Sequence, residues 1–203
     1  MTRRFAEPEL LVATHNDGKL AEMRALFGQF SVEVSSAKQL GLPEPEETET
    51  TFLGNARIKA HAAAQASQRP ALGDDSGIEV DALGGAPGVY TANWAETPKG
   101  RDFPMAMERV QRELEAIDAP SPRTARFRCT LVLAWPDGHE EVFDGKIEGE
   151  CVWPMRGLEG HGFDPIFQPD GYTITLGEMD PDEKNRISHR ADAFRKLVSA
   201  CFA

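Results

Sequence analysis

The sequence predicts an α/β fold built on a mixed β-sheet. Strand-like and helix-like segments alternate in the first half of the chain, which opens with a strand, a polar turn, a helix and a second strand. A hairpin predicted over Thr124–Trp135 and Glu140–Val152 adds an antiparallel pair in the second half, which makes the sheet mixed. The 203 residues suffice for one large domain or two closely joined lobes.

Three short segments predict the opening strand–helix–strand unit. Leu10–Thr14 is an apolar run that stops at polar residues, as a buried strand does. Lys19–Phe27 has apolar residues at helical spacing and is followed by Gly28, a residue typical of helix ends. Ser31–Ser35 alternates in polarity, which predicts the second strand of a βαβ-type unit.

An acidic loop and a long helix come next. Leu42–Thr50 contains two prolines and four glutamates, so we expect it to be irregular. Alanines at helical spacing predict a closely packed helix over Thr51–Gln68. Short strands are predicted over Ala71–Asp74 and Ile78–Val80, on either side of a turn formed by Asp74-Asp75-Ser76-Gly77.

The remaining helices are marked by their caps and periodicity. Arg101–Ile117 has a clear amphipathic pattern, and its early proline is tolerated in a first turn. Asp180-Pro181-Asp182-Glu183 has the capping residue, the proline and the glutamate of a helix start. Ser188 is predicted to cap the last helix, and the glycine-rich segment Gly157–Gly162 is expected to be irregular and flexible.

Charge and cysteine content restrict the possible partners and location. A net charge of −11 argues against binding of a nucleic-acid polymer or an anionic membrane, yet it leaves room for a small phosphorylated ligand held by a few cations. Cys129, Cys151 and Cys201 match no zinc spacing, and core packing is expected for Cys129 and Cys201. Because no segment approaches the roughly 18 apolar residues of a membrane span, we expect a cytoplasmic protein with reduced thiols.

A polar turn after the first strand is the first candidate site. Its residues are Thr14, His15, Asn16, Asp17, Gly18 and Lys19. Ligands bind at strand ends in α/β sheets, and a helix N-terminus offers free N–H groups to an anion. An ordinary capped turn with a solvated lysine explains the same spacing equally well.

Two groups of carboxylates form the second candidate site. Asp74 and Asp75 are adjacent in an extended segment, so their side chains point to opposite faces and one of them can bind a metal. A structural turn is the more frequent use of such residues. Because Mg²⁺ takes one or two protein carboxylates, one glutamate of the acidic loop together with Asp75 would suffice. The glutamates available are Glu44, Glu46, Glu47 and Glu49.

A third candidate site combines aromatic, glycine and basic residues. His161-Gly162-Phe163-Asp164 follows Gly160, and rings beside glycines suit a slot for a flat base. Lys184, His189 and Arg190 come later, the last two at a predicted helix N-terminus where the helix dipole disfavours cations. Cations in such a place can serve a ligand, although surface His-Arg pairs are common.

Five segments resemble the Ham1/RdgB family of inosine triphosphate pyrophosphatases, in the order found in that family. They are LLVATHNDGKLAEM, EETETTFLGNARIKA, ALGDDSGIEVDALGGAPGVYTA, GHGFDPIF and EKNRISHRADAF. The resemblance covers nearly the whole chain. It implies an elongated mixed sheet with flanking helices that form two lobes around a nucleotide cleft. It also implies a homodimer that uses Mg²⁺ to split deaminated purine nucleoside triphosphates into monophosphate and pyrophosphate.

The same resemblance assigns roles to particular residues. Asp75 is implied as proton acceptor and metal ligand, and Glu47 as the second metal carboxylate, with Glu46 an open alternative. Triphosphate ligands are implied in the polar turn, at Thr14, Asn16 and Lys19, with Lys59 assisting. Contacts to the rest of the substrate are implied for Ser76, His161, Gly162, Phe163, Asp164, Lys184, His189 and Arg190.

Two positions depart from the usual family pattern. His161 stands where the family has a phenylalanine expected to lie against the base, so stacking should be weaker or sensitive to pH. His15 stands where a small residue is common and could crowd the phosphates. The alternative functions are a Maf-like pyrophosphatase acting on other modified nucleotides and a nucleotide-binding module without catalytic activity.

Overall fold

The computed structural model describes residues 2–202 and contains a mixed six-stranded sheet with flanking helices. In chain order the elements are β1 (Glu9–Val12), α1 (Asp17–Phe27), β2 (Glu33–Ser36), α2 (Phe52–Ser67), β3 (Ala71–Val80), β4 (Glu96–Thr97), β5 (Gly100–Arg101), α3 (Phe103–Ala116), β6 (Thr124–Ala134), β7 (Glu140–Cys151), β8 (Phe167–Pro169), α4 (Pro181–Ile187) and α5 (His189–Leu197). A π-helical turn over Val198–Phe202 follows α5.

The strand order of the large sheet is β2-β1-β3-β6-β7-β8, and β4 pairs with β5 in a separate two-stranded ribbon. Strand β1 runs parallel to both β2 and β3, whereas β7 and β8 are antiparallel. The predicted α/β class with a mixed sheet is therefore confirmed. No helix in residues 2–202 is long and apolar enough to cross a membrane.

The chain divides into two compact units. Unit 1 comprises the residues up to Asp75, Cys129–Asp144 and the chain from Ala193 onward, and unit 2 comprises Ser76–Arg128 and Gly145–Asp192. Strands β3, β6 and β7 contribute residues to both units.

In unit 1, helices α1 and α2 cover opposite faces of the strands. Leu10 and Val12 of β1 pack with α1 in one apolar cluster, whereas Leu11, between them in sequence, packs with α2 in another. This is the period-two alternation of a strand buried on both faces. Helix α2 presents mainly alanines to the sheet, so its backbone can come close to β3.

In unit 2, the core forms around α3 and the apolar residues of its strands. Met107, Val110 and Leu114 of α3 belong to one cluster with Phe127 of β6 and Phe167 of β8. The predicted amphipathic helix is confirmed, although it starts at Phe103 because Asp102 caps it by accepting from the Met105 amide at 3.0 Å.

The predicted turn at Asp74-Asp75-Ser76-Gly77 is wrong, because β3 continues without interruption from Ala71 to Val80. A glycine in β3 explains the close packing against α2. A Cβ atom at Gly73 would lie 2.4 Å from the carbonyl oxygen of Ala56 and 2.8 Å from the amide nitrogen of Ala60. Gly73 therefore serves close helix–strand packing.

Most of the other predicted boundaries hold to within a few residues. The hairpin of β6 and β7 is confirmed, and Asp180 and Ser188 cap α4 and α5 as predicted. Helix α1 begins two residues earlier than predicted, because the Asn16 side chain caps it. The three cysteines are free and buried, and burial raises the pKa of Cys151 to about 12 and of Cys201 to about 11, which favours neutral thiols.

We expect Gly73→Ala to lower the free energy of unfolding by at least about 2 kcal/mol, because the methyl group would press on the backbone of α2. Urea unfolding would measure the change. Gly28→Ala is the matched control, since its φ is −59° and the nearest atoms to a new Cβ lie at 3.4 Å. An unaltered stability of Gly73→Ala would contradict the proposed close contact.

Candidate active site

Two neighbouring carboxylates of β3 face opposite sides of the strand. Asp74 accepts a hydrogen bond from Lys19 of α1 at 2.8 Å, and Asp75 accepts one from Lys59 of α2 at 3.3 Å. The predicted opposite orientation of Asp74 and Asp75 is thus confirmed, and each carboxylate is paired with a lysine from a different helix.

Lys59 is a buried ammonium group between two carboxylates. Its Nζ lies 2.8 Å from Glu47 Oε1 and 3.3 Å from Asp75 Oδ1, and its side chain is only 8% exposed. Burial lowers the pKa of Lys59, but the attraction of the nearby carboxylates, led by Asp74 and Asp75, outweighs it and leaves the pKa raised. Lys59 is therefore a permanent positive charge at neutral pH.

Asp75 is a buried carboxylate that lies near two others, those of Glu47 and Asp74. Its pKa is raised to about 6, chiefly by burial and also by repulsion from Glu47 and Asp74, while Lys59 opposes the rise. A carboxyl group with a pKa near neutrality can accept a proton and release it again at physiological pH. Among the carboxyl groups of the Asp74–Asp75 pair and of the acidic loop, the raised pKa marks Asp75 as the candidate general base.

The polar turn forms an ordinary capped helix start. Asn16 Oδ1 accepts from the backbone amides of Gly18 at 2.8 Å and Lys19 at 3.1 Å, so these two donors are already bonded. Thr14 is buried and accepts from the Asn16 amide, and Asp17 pairs with Lys38 at 2.6 Å. The expected free N–H groups are thus absent at Gly18 and Lys19, although the side chain of Lys19 still reaches Asp74.

Asn55 makes polar contacts at this site that were not predicted from the sequence. It is 3% exposed, its Oδ1 accepts from the Glu49 amide at 3.0 Å, and its Nδ2 donates to Asp75 at 3.4 Å. One amide side chain thus joins the acidic loop to β3. The available signal was an asparagine in the first turns of an alanine-rich helix, where its intrinsic propensity is poor.

The structure also shows the surroundings of His15 and Glu46. His15 is half-buried, and its Nε2 lies 2.8 Å from the Leu42 carbonyl oxygen. Glu46 and Glu47 are both exposed, and Glu47 accepts a hydrogen bond from Lys59 at 2.8 Å. Of the two glutamates that the sequence left open, Glu47 is the one hydrogen-bonded within the lysine and carboxylate cluster.

In unit 2, Asp164 organises the glycine-rich segment. It is 4% exposed, accepts from the His161 amide at 2.6 Å and forms an ion pair with Lys184. Gly160 has a φ of +81°, and a Cβ there would lie 2.2 Å from the Asp164 carboxylate. The segment therefore requires glycine at this position.

The two rings of this segment have different surroundings. Phe163 is 1% exposed, and its ring packs against Phe103 with centroids 6.1 Å apart, so it belongs to the core of unit 2. His161 is exposed. The adjacent Gly162 has a φ of +67°. Of the two, only the His161 side chain is accessible to a ligand in this structure.

His189 and Arg190, the basic pair at the start of α5, both contact residues of unit 2. Arg190 Nη2 donates to Ser76 Oγ at 3.4 Å, so Ser76, one residue after Asp75, is joined to the start of α5. The His189 ring stacks on Phe127 with centroids 5.1 Å apart and an interplanar angle of 15°. Of the four predicted residues, Arg190 and Ser76 contact each other, whereas His189 contacts Phe127 and Lys184 contacts Asp164.

A model of the Ham1 family matches residues 10–200. The chain belongs to the Ham1 family. It is 64% identical over 202 residues to the dITP/XTP pyrophosphatase of Ruegeria pomeroyi, covering 100% of this chain and 99% of that protein. It is 55% identical to the dITP/XTP pyrophosphatase of Agrobacterium fabrum, with 98% of each chain covered.

Solved structures of Ham1 proteins have the same fold. The HAM1 protein from Coxiella burnetii superposes with a TM-score of 0.89 at 37% identity, covering 95% of this chain and 98% of that one. The Staphylococcus aureus Ham1 protein gives a TM-score of 0.83 at 31% identity, with coverages of 94% and 96%.

The carboxylates of this Ham1 chain fit a divalent cation of the Mg²⁺ type. Within residues 2–202 no three His, Cys, Asp or Glu side chains form a metal cage. Mg²⁺ does not need one, because it binds through one or two protein carboxylates and keeps water or phosphate oxygens for the rest of its shell. Glu47 and Asp75 converge on the same ammonium, and their repulsion contributes to the raised pKa of Asp75. Added positive charge would relieve that repulsion.

We expect Lys59→Met to raise the pKa of Asp75 above about 6 in the metal-free protein, because the ammonium group favours the ionised carboxylate. Carbon-13 NMR titration of the Asp75 carboxyl group would measure the shift. Lys38→Met, which removes an exposed ammonium paired with Asp17, should leave the titration of Asp75 unchanged. A pKa that stays the same or falls in Lys59→Met would show that the ammonium does not stabilise Asp75.

Proposed function

We propose that this chain hydrolyses deaminated purine nucleoside triphosphates, namely ITP, dITP and XTP, to the monophosphate and pyrophosphate. The observation that carries the proposal is 64% identity over the whole chain to a protein named dITP/XTP pyrophosphatase. The cluster of buried Asp75 and Lys59 with the exposed Glu47 supports a hydrolytic role, since it combines a carboxyl group whose pKa is raised to about 6 with a fixed cation.

In the proposed reaction, Asp75 orients a water molecule and accepts its proton as the water attacks the triphosphate. Lys59 and Lys19 stabilise the negative charge on the phosphate oxygens, which is the main catalytic requirement of phosphoryl transfer. Because Lys59 is buried and permanently charged, it supplies this stabilisation without reorganisation. Thr14 and Asn16 hold the turn that presents Lys19.

We further propose that Glu47 and Asp75 hold a Mg²⁺ ion. When bound, such an ion would act as a Lewis acid toward phosphate oxygens. The proposal is supported by the convergence of the two carboxylates on Lys59 and by the raised pKa of Asp75, to which repulsion from Glu47 and Asp74 contributes after burial.

We assign recognition of the base and sugar to unit 2. His189 and Arg190 would donate to O6 of the deaminated purine, whereas adenine presents an amino donor there and leaves them unpaired. A site of this kind can discriminate by about 10⁴-fold or more. Ser76 and the Asp164–Lys184 pair are the further candidates, and we propose that the ring of His161 stacks on the base, since His161 is exposed.

The comparisons do not favour the alternative functions. The curated relatives described above carry the dITP/XTP pyrophosphatase name, and none of them supports a Maf-like activity or a catalytically silent module.

We also propose a homodimer in the cytoplasm that binds neither a nucleic-acid polymer nor a membrane. The family resemblance supports the dimer, the free buried thiols support a reducing compartment, and the net charge of −11 disfavours polyanionic partners.

We expect pyrophosphate release from dITP and XTP in the presence of Mg²⁺, with little release from dATP or dTTP. Asp75→Asn should lower the rate by about 10²–10⁴-fold, since it removes the proton acceptor. An assay of pyrophosphate across this nucleotide panel would measure both effects. Asp137→Asn, in the exposed hairpin turn, is the control and should retain activity.

Two results would contradict this function. Preferred turnover of dTTP would favour a Maf-like enzyme. Nucleotide binding without pyrophosphate release from any triphosphate, in the unaltered protein, would favour a binding module.

We expect Glu47→Gln to raise the Mg²⁺ concentration needed for half-maximal activity by about tenfold or more, because a neutral amide is a poorer ligand for a hard cation. Glu46→Gln is the matched variant one residue away and should change it much less. Mg²⁺ titrations of pyrophosphate release would compare the two. A larger effect in Glu46→Gln would assign the metal carboxylate to Glu46 instead.

A further inference from the structure

His15 connects the polar turn to the acidic loop. Its Nε2 lies 2.8 Å from the carbonyl oxygen of Leu42, the first residue of that loop. A carbonyl oxygen only accepts, so Nε2 carries the proton and donates. The Nε2–H group of His15 therefore donates a hydrogen bond to the backbone of the acidic loop.

The other end of the acidic loop is held by Asn55, which accepts from the Glu49 amide at 3.0 Å. The side chain of Glu49 also packs over Gly54, where a Cβ would lie 2.5 Å from Glu49 Cβ. Glu47, which contacts Lys59 at 2.8 Å, lies between these two attachments. The backbone that carries Glu47 is thus fixed on both sides.

A cavity lies beneath the first half of the loop, beside His15. Its apolar lining includes Leu42, Pro43, Pro45, Ala62, Ala63 and Ala66. The start of the loop is also held by Leu42 itself, which packs against the apolar cluster that contains Ala60 and Ala63 of α2 and whose amide donates to the Ala37 carbonyl oxygen at 3.0 Å. The hydrogen bond from His15 adds a side-chain contact at this same residue, beside the cavity.

We propose that His15 is a positioning residue that fixes the acidic loop and, through it, the Glu47 carboxylate. In this proposal His15 acts on Glu47 through the Leu42 carbonyl and the loop backbone, whereas its place among the substrate ligands stays a prediction. The link to Glu47 as a metal carboxylate rests on the proposed function, whereas the link between His15 and the loop does not.

Amide hydrogen exchange of the protein without metal and nucleotide tests the structural step. His15→Ala should speed exchange at the Glu49 amide and its loop neighbours by about fivefold, the factor that corresponds to one net hydrogen bond of about 1 kcal/mol. His15→Gln, whose amide can also donate to the Leu42 carbonyl, should restore much of the protection. His61→Ala is the control, because His61 bonds to Glu140 and not to the loop.

The Mg²⁺ dependence of pyrophosphate release tests the functional step. His15→Ala should raise the half-maximal Mg²⁺ concentration by about fivefold while the rate at saturating Mg²⁺ changes less, since the loop can still be drawn into place by the ion. His15→Gln should lie close to the unaltered protein.

Three results would overturn parts of the proposal separately. Unchanged loop exchange in His15→Ala would disprove the positioning role. Faster exchange with an unaltered Mg²⁺ requirement would disprove the link to Glu47. If the unaltered protein releases no pyrophosphate, the proposed function fails, and the exchange experiment still decides whether His15 holds the loop.

Discussion

The ammonium group of Lys59 and the carboxylates of Glu47 and Asp75 form the contact on which the rest of unit 1 depends. The ammonium group lies between the buried Asp75 carboxylate and the exposed Glu47 carboxylate and offsets their mutual repulsion. The contact joins three separate segments: the acidic loop, α2 and β3. It also places Asp75 where burial and repulsion raise its pKa, so the same arrangement that orders the loop creates a candidate general base.

The geometry of this contact follows from the alternation of side chains along β3. In the first part of the strand, Ala71 packs against α2, Gly73 lets the helix backbone approach and Asp75 reaches Lys59. The even-numbered residues Leu72 and Asp74 belong to the side of α1. A continuous strand thus separates two carboxylates that are neighbours in sequence and gives each its own lysine.

Local sequence patterns predicted the elements of this fold better than their contacts. The alternation at Asp74 and Asp75 and the cap at Ser188 depend on neighbouring residues, and both are confirmed. The turn predicted around Asp75 was wrong because a short Asp-Asp-Ser-Gly run is compatible with a turn and with a strand, and the strand pairing that decides between them involves residues distant in sequence. The contact of Asn55 with both Glu49 and Asp75 joins segments that are far apart in sequence, so periodicity gives no sign of it.

The charge balance of unit 1 limits how it could bind a triphosphate. Three carboxylates, Glu47, Asp74 and Asp75, face two ammonium groups, Lys19 and Lys59, so the ionised cluster carries a net charge of about −1. The amides of Gly18 and Lys19 add no anion site, because the Asn16 side chain already accepts from them. A polyanionic substrate therefore needs a further cation at this cluster, and the same cation would favour the ionised form of Asp75 that accepts a proton. In the proposed mechanism, substrate binding, metal binding and the activation of the base would thus be linked through the charge of this one cluster.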